Sequence, residues 1–224
     1  MTIDELKAKL PKLPVFNIDF TGKEVGYKNS KIGGNYYWKD EKGLEGYIFL
    51  AQINFSELPD NDIFPKTGLL QFFVADDDCY GLFDDNGKGF EVIYHENIED
   101  DGYSIYYPAE NTPLYQENIG MTFALSEEYM TAADYRFENY NDDMMDEIWE
   151  AFDGSGCKLL GYPYFTQYDP RDNAVSQKYD RLLFQLDTNK YLMWGDSGVA
   201  NFFINSEKLA NLDFSDILYN WDCC

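Results

Sequence analysis

A chain of 224 residues can form one large domain or two small ones packed together, and can hide roughly 70% of its unfolded surface without disulfide or metal staples. Residues of hydrophobic type make up 45% and aromatics 18%, enough for a core, while a mean hydropathy of −0.48 and no apolar run near the ~18 residues of a bilayer crossing exclude a helical membrane span. A net charge of −24 repels nucleic acid and anionic membrane and favours cations or a basic protein.

Thr2 and Glu5 have the spacing of a capping box, and Pro11 closes the segment, so a short helix is predicted at the N-terminus. Charged residues Asp4, Glu5, Lys7 and Lys9 interrupt residues 1–10, which is no signal-peptide core, and a cytoplasmic protein is expected. Apolar and aromatic runs at 47–55 and 69–75 have strand composition and are bounded by turn formers. Asn86-Gly87 predicts a hairpin turn. From Asp84 to Asp153 stand 19 acids against two bases, Lys88 and Arg136, so this stretch carries −17 and the remainder −7. Within it, Asp142 to Phe152 reads as a helix, with Met145, Ile148, Trp149 and Phe152 on one apolar face. Asn141 would cap its start and Gly154 end it. Further strand runs follow at 182–188 and 199–205, and a short helix from Ser206 through Lys208 to Leu212.

Three of these signals occur twice in the same order. KIGG from Lys31, the run around Gln52 and Gly68-x-x-x-Phe72-Phe73 have counterparts in KLLG from Lys158, the run around Gln185 and Gly198-x-x-x-Phe202-Phe203. Gly34 matches Gly161, and unequal loops account for unequal intervals, so an internal duplication is expected. A glycine at 68 and 198 feeds the third strand of each copy through a tight turn. Gln52 and Gln185, set in apolar runs, need buried partners. Either backbone bonds fix how the halves meet, or the pair of amides binds a ligand.

Gly195-Asp196-Ser197-Gly198 has the form of a loop around a nucleophilic serine, with one histidine, His95, in the chain. The matching turn, Lys66-Thr67-Gly68, has no Asp-Ser, and a turn role explains the glycines without chemistry. An EF-hand loop begun at Asp84 would put Lys88 and His95 at ligand positions, which excludes it. Cys79, Cys157, Cys223 and Cys224 have no metal-ligand spacing, and adjacent Cys223 and Cys224 read as free thiols in a reducing compartment. No phosphate, dinucleotide or zinc-protease motif occurs, so no catalytic residue and no cofactor is assigned.

The order KIGG, FLAQINFSELP, TGLLQFFV, LLGYPYFTQYDPR, LLFQLD, MWGDSGVANFFI and LANLDFSD resembles the YwqG-like family of bacterial proteins, from about Lys31 to the C-terminus. The stretches Gly161–Arg171 and Trp194–Ile204 carry the resemblance most specifically, while Asn35-Tyr36-Tyr37 stands where the family has a Pro-containing motif. The resemblance implies a fold and a bacterial cytoplasmic setting and no reaction, and the placing of some relatives beside secreted-toxin genes implies an inhibitor- or immunity-like role.

The resulting expectation is an α+β fold, mostly antiparallel sheet with two pseudo-repeats and a few short helices. The chain divides into 1–29 as helix and lead-in, 30–83 as first repeat, 84–153 as acidic middle insertion and 154–224 as second repeat, packed as one unit. The leading function is a non-catalytic binding protein that docks a basic protein, with Asp142, Asp143 and Glu147 as the docking surface. The alternative is an enzyme working with carboxylates in a cleft between the repeats.

Overall fold

The computed structural model describes residues 2–82, 89–109, 111–138 and 142–224, with the side chain of Asp142 left aside. The expected turn at Asn86-Gly87 and cap at Asn141 lie outside the described residues.

In chain order the strands are β1 (Lys12–Glu24), β2 (Lys31–Ile32), β3 (Tyr36–Trp38), β4 (Tyr47–Asn54), β5 (Leu69–Ala75), β6 (Phe90–His95), β7 (Tyr103–Ile105), β8 (Ile119–Tyr129), β9 (Lys158–Leu160), β10 (Arg181–Asp187), β11 (Val199–Ile204) and β12 (Ile217–Asp222). Helices are α1 (Ile3–Lys7), α2 (Met145–Ala151) and α3 (Ser206–Ala210). The capping box is formed: the Thr2 hydroxyl accepts from Glu5 N–H, and the Glu5 carboxylate accepts from Thr2 N–H. Asn205 caps α3, its side-chain oxygen accepting from the Glu207 and Lys208 N–H groups.

Every ladder is antiparallel. One sheet has the order β12-β11-β10-β9-β1-β8-β2-β4-β5-β6, and β3 pairs with β7 in a small second sheet. The spine is the long β1–β8 pair, which runs from Lys12 opposite Tyr129 to Glu24 opposite Ile119. The sheet curls until its two arms face each other. Phe72 of β5 lies 4.4 Å from Phe184 of β10 and 5.0 Å from Phe202 of β11, ring to ring, although these strands are far apart in the sheet order. The outer strands meet through side chains in the same interior, with the Phe90 and Tyr219 rings 5.3 Å apart. Alternation explains the packing: Leu70, Phe72 and Val74 point into this shared interior with Ala200, Phe202 and Ile204. On the outer face, β3 covers Phe49 and Phe73 with Tyr36 and Trp38, and Phe165 covers Leu182 and Phe203.

Residues 12–24 form β1, a central strand between β8 and β9, and the acidic stretch supplies β6 and β8 to the same sheet. The helix expectation needs correction. Regular α-helix starts only at Met145 after one 3-10 turn over Asp142–Met144, and Trp149 is 44% exposed, off the apolar face that Ile148 and Phe152 turn onto Leu6 and Met130. A seven-residue helix shows the core a narrow stripe, which leaves no room for Trp149.

The glycines at 68 and 198 occupy matching turns for different reasons. Gly68 has φ +123°, a region that costs any side chain, while a Cβ on Gly198 would lie 1.9 Å from the Asp222 carbonyl oxygen. Gly68→Val is expected to destabilise the fold by about 1–3 kcal/mol in urea denaturation. Gly198→Ala is expected to cost at least as much, because β12 itself must shift.

Candidate functional site

Polar side chains form a row across the outer face of each arm. Lys31, Gln52 and Gln71 stand opposite one another on β2, β4 and β5, and Lys158, Gln185 and Asn201 on β9, β10 and β11. All six are buried, so each must find partners. Gln52 Nε2 donates to the Tyr27 and Asn29 carbonyls at 2.7 and 2.8 Å, and Gln185 Nε2 to those of Gly154 and Gly156, both at 2.8 Å. Gln71 Nε2 donates to the Tyr37 carbonyl, and Asn201 Nδ2 to that of Tyr164. Just before these covering tyrosines the chain turns through two residues with positive φ, Gly33-Gly34 in one arm and Leu160-Gly161 in the other. The amides therefore hold the covering segment of their own arm. They do not set how the halves meet, which is the work of Phe72, Phe184 and Phe202.

The ends of the rows differ. Gln71 Oε1 receives His95 Nε2 at 2.9 Å, whereas Asn201, one methylene shorter, leaves its Oδ1 without a partner among the described residues. Lys31 donates to the Asn35 carbonyl and to Asn118 Oδ1, and burial lowers its pKa to about 8. Lys158 bonds Glu128 at 2.7 Å, and burial again lowers its pKa while Glu128 opposes the shift. A further buried cluster joins Arg171 to Asp134 and Asp169, with the guanidinium over the Phe203 and Tyr135 rings. These charges are paired and hydrogen-bonded, as burial requires.

The serine and histidine singled out by sequence are not brought together by any contact of the ring. His95 lies edge-on to Tyr37 and Trp38, with Nε2 on Gln71, and burial, aided by the Lys39 charge, lowers its pKa to about 4. Ser197 is exposed in the turn before β11, with φ +62°. The four cysteines are free, and burial pushes the Cys157 thiol up to about 12, away from reactive thiolate. Among the described residues no group of three His, Cys, Asp or Glu side chains is arranged to hold a metal. No described helix is long and apolar enough to cross a membrane.

The acidic face of α2 is the remaining candidate. Asp143 and Glu147 are exposed, as are Asp146 and Glu150. Trp149, 44% exposed, lies three residues after Asp146 and one before Glu150, and no base occurs in the helix. Sequence placed Trp149 in the core and so missed it. The signal available was the acid on three sides of it in sequence, at Asp146, Glu150 and Asp153.

The fold and its rows define an antiparallel, curled-sheet domain in which each arm carries its own bonded cover. The chain belongs to the family described as a domain of unknown function, DUF1963, whose model matches residues 30–223. No curated protein matches it. The family match begins after β1, which nevertheless sits at the centre of the sheet.

Two outcomes check this account. Gln185→Leu strips the side-chain partner from the Gly154 and Gly156 carbonyls and from Tyr164 N–H, and is expected to cost at least about 2–3 kcal/mol in denaturant, with Gln52→Leu similar. The depressed pKa of His95 means that the unfolded chain binds its proton more readily, so stability present above pH 6.5 is lost as pH falls toward about 4. Allowing for solvent screening of the part-exposed ring, about 1–2 kcal/mol of this loss is expected to vanish in His95→Gln, measured as stability against pH.

Proposed function

We propose that this protein is a non-catalytic binding protein, acting in the bacterial cytoplasm, whose acidic α2 face docks a basic protein. The observation that carries this reading is Trp149, a large aromatic held 44% exposed on a helix whose neighbouring side chains are acids. An exposed aromatic beside the acids Asp146 and Glu150 suits arginine or lysine, which gain from both the ring face and the charges. Asp143 and Glu147, which the sequence offered with Asp142 as the docking surface, are exposed in the same segment, and an inhibitor- or immunity-like role is the form this binding takes. The carboxylate-enzyme alternative asks for a cleft between the arms, and the rings of Phe72, Phe184 and Phe202 meet there.

Descent of the two arms from one duplicated unit is part of the same reading. It is supported by the equal strand order, the equal cover bonds of Gln52 and Gln185, and the paired positive-φ residues before Tyr37 and Tyr164. The signatures at Gly161–Arg171 and Trp194–Ile204 support a YwqG-like place within the family.

The test is affinity capture from the native cell with wild type, Trp149→Ala and the double charge reversal Asp143→Lys/Glu147→Lys. A basic protein is expected to be held at low salt, released as the Debye length shrinks from about 10 Å at 0.1 M to about 3 Å at 1 M, and lost about tenfold or more in each variant. Identical sets of bound proteins for all three would overturn the reading.

A further inference from the structure

The curled sheet stops short of closing, so β12 and β6 are its two outer strands. An outer strand presents unpaired N–H and C=O groups, which proteins usually guard with proline, lysine or a bulge. β12 has none of these. Its six residues, Ile217 to Asp222, pair in unbroken register with Ile204 to Val199. Among the described residues, its backbone makes no backbone–backbone bond beyond the β11 ladder.

Two cavities lie along this edge. One of about 430 Å³ adjoins Asn220 to Cys223, and one of about 330 Å³ adjoins Ser215 to Ile217. The first has two built walls. On the inner side, Trp221 Nε1 donates to the Cys79 carbonyl at 2.8 Å and the Tyr219 hydroxyl to that of Tyr80 at 3.0 Å, which seats the 77–82 segment. On the outer side, the Asp222 carboxylate accepts from Thr166 N–H and Oγ and from Gln167 N–H, which seats the 166–168 segment. Asn220, Trp221 and Asp222 of the strand line the cavity between them, together with Tyr168, 70% exposed. Asp78 and Asp222 line the first cavity and Glu91 and Asp216 the second, with no lysine or arginine in either lining. Asp216 is already engaged by Lys178 and the Tyr179 hydroxyl, and Glu91 adds a further acid at that end.

The geometry points to β12 as the acceptor of an added strand: an extended segment of another protein, with alternating basic and apolar side chains, that pairs with the free edge. Main-chain bonds to β12 supply affinity, and alternate side chains face opposite walls. Apolar ones meet Trp221, Cys79 and Leu82, and basic ones meet the Asp222 and Tyr168 side. A second copy of this chain is a poor occupant, because it brings the same acids to the same edge.

The probe is a short acetylated peptide alternating lysine and valine, titrated into the full chain by calorimetry. Two isomers accompany it, N-methylated on every valine or on every lysine. A strand pairs through one of its edges, so one isomer is expected to bind like the parent and the other about tenfold or more weaker. Amide hydrogen exchange with the parent peptide bound is expected to slow at alternate residues of β12. Tyr168→Ala is expected to weaken binding several-fold with unchanged stability. Equal binding of both isomers would reduce the effect to charge attraction and overturn the proposal, as would no binding by the parent or by either isomer. Protection on α2 in place of β12 would also overturn it while leaving the α2 reading intact. Protection of β12 without peptide, in a dimer seen by sedimentation, would assign the edge to a second copy and overturn it equally.

Discussion

Burying an amide row on the outer face of a β-sheet imposes a requirement that the rest of this molecule meets. Gln52, Gln71, Gln185 and Asn201 lie where ordinary strands would carry apolar residues, and each needs acceptors out of reach of water. The acceptors are carbonyl groups of the segments that cover the sheet: Tyr27, Asn29 and Tyr37 in one arm, Gly154, Gly156 and Tyr164 in the other. Irregular backbone has spare carbonyls, so the two needs answer each other. This pairing explains why covers without long helices stay in place. It also explains the left-handed residues before Tyr37 and Tyr164, which turn the chain back over the row.

Once the outer face is sealed by hydrogen bonds, the inner face can be purely apolar, and the sheet curls to bury it against itself. Ten strands with right-handed twist and one fully apolar face tend toward closure. The ring contacts of Phe72 with Phe184 and Phe202 are the meeting point of the arms. Closure is incomplete because β6 and β12 touch through side chains such as Phe90 and Tyr219, with no ladder between them among the described residues. The same curl that builds the core thus leaves a strand edge available.

The charge divides along the same lines. Buried ionic groups, Lys158 with Glu128 and Arg171 with Asp134 and Asp169, are absorbed into structure. The excess acid stays outside, on α2 and around the open edge, where water solvates it. A neutral His95 locked between Gln71 and two aromatic rings serves the first row, and this is why a histidine and an exposed serine in one chain add up to no catalytic pair.

What the sequence determined by itself was local or periodic. The capping box of α1, the strands around Gln52, Gln71 and Gln185, and the cap of α3 depend on neighbours a few residues away, and composition is enough to read them. The matched order of signals in the two arms was legible for the same reason. Tertiary structure alone decided the rest. β1 and β8 are long but only partly buried, with polar residues where they pass the surface, so their central place was invisible until the partners of both edges were known. Trp149 could be read only as core, because a helix shows its periodicity in sequence but not how wide a stripe its neighbours will cover. Which glutamine reaches which carbonyl, and which strand is left at the edge, are contacts between residues far apart in the chain. They are fixed by how the sheet curls, and a one-dimensional pattern carries no information about that.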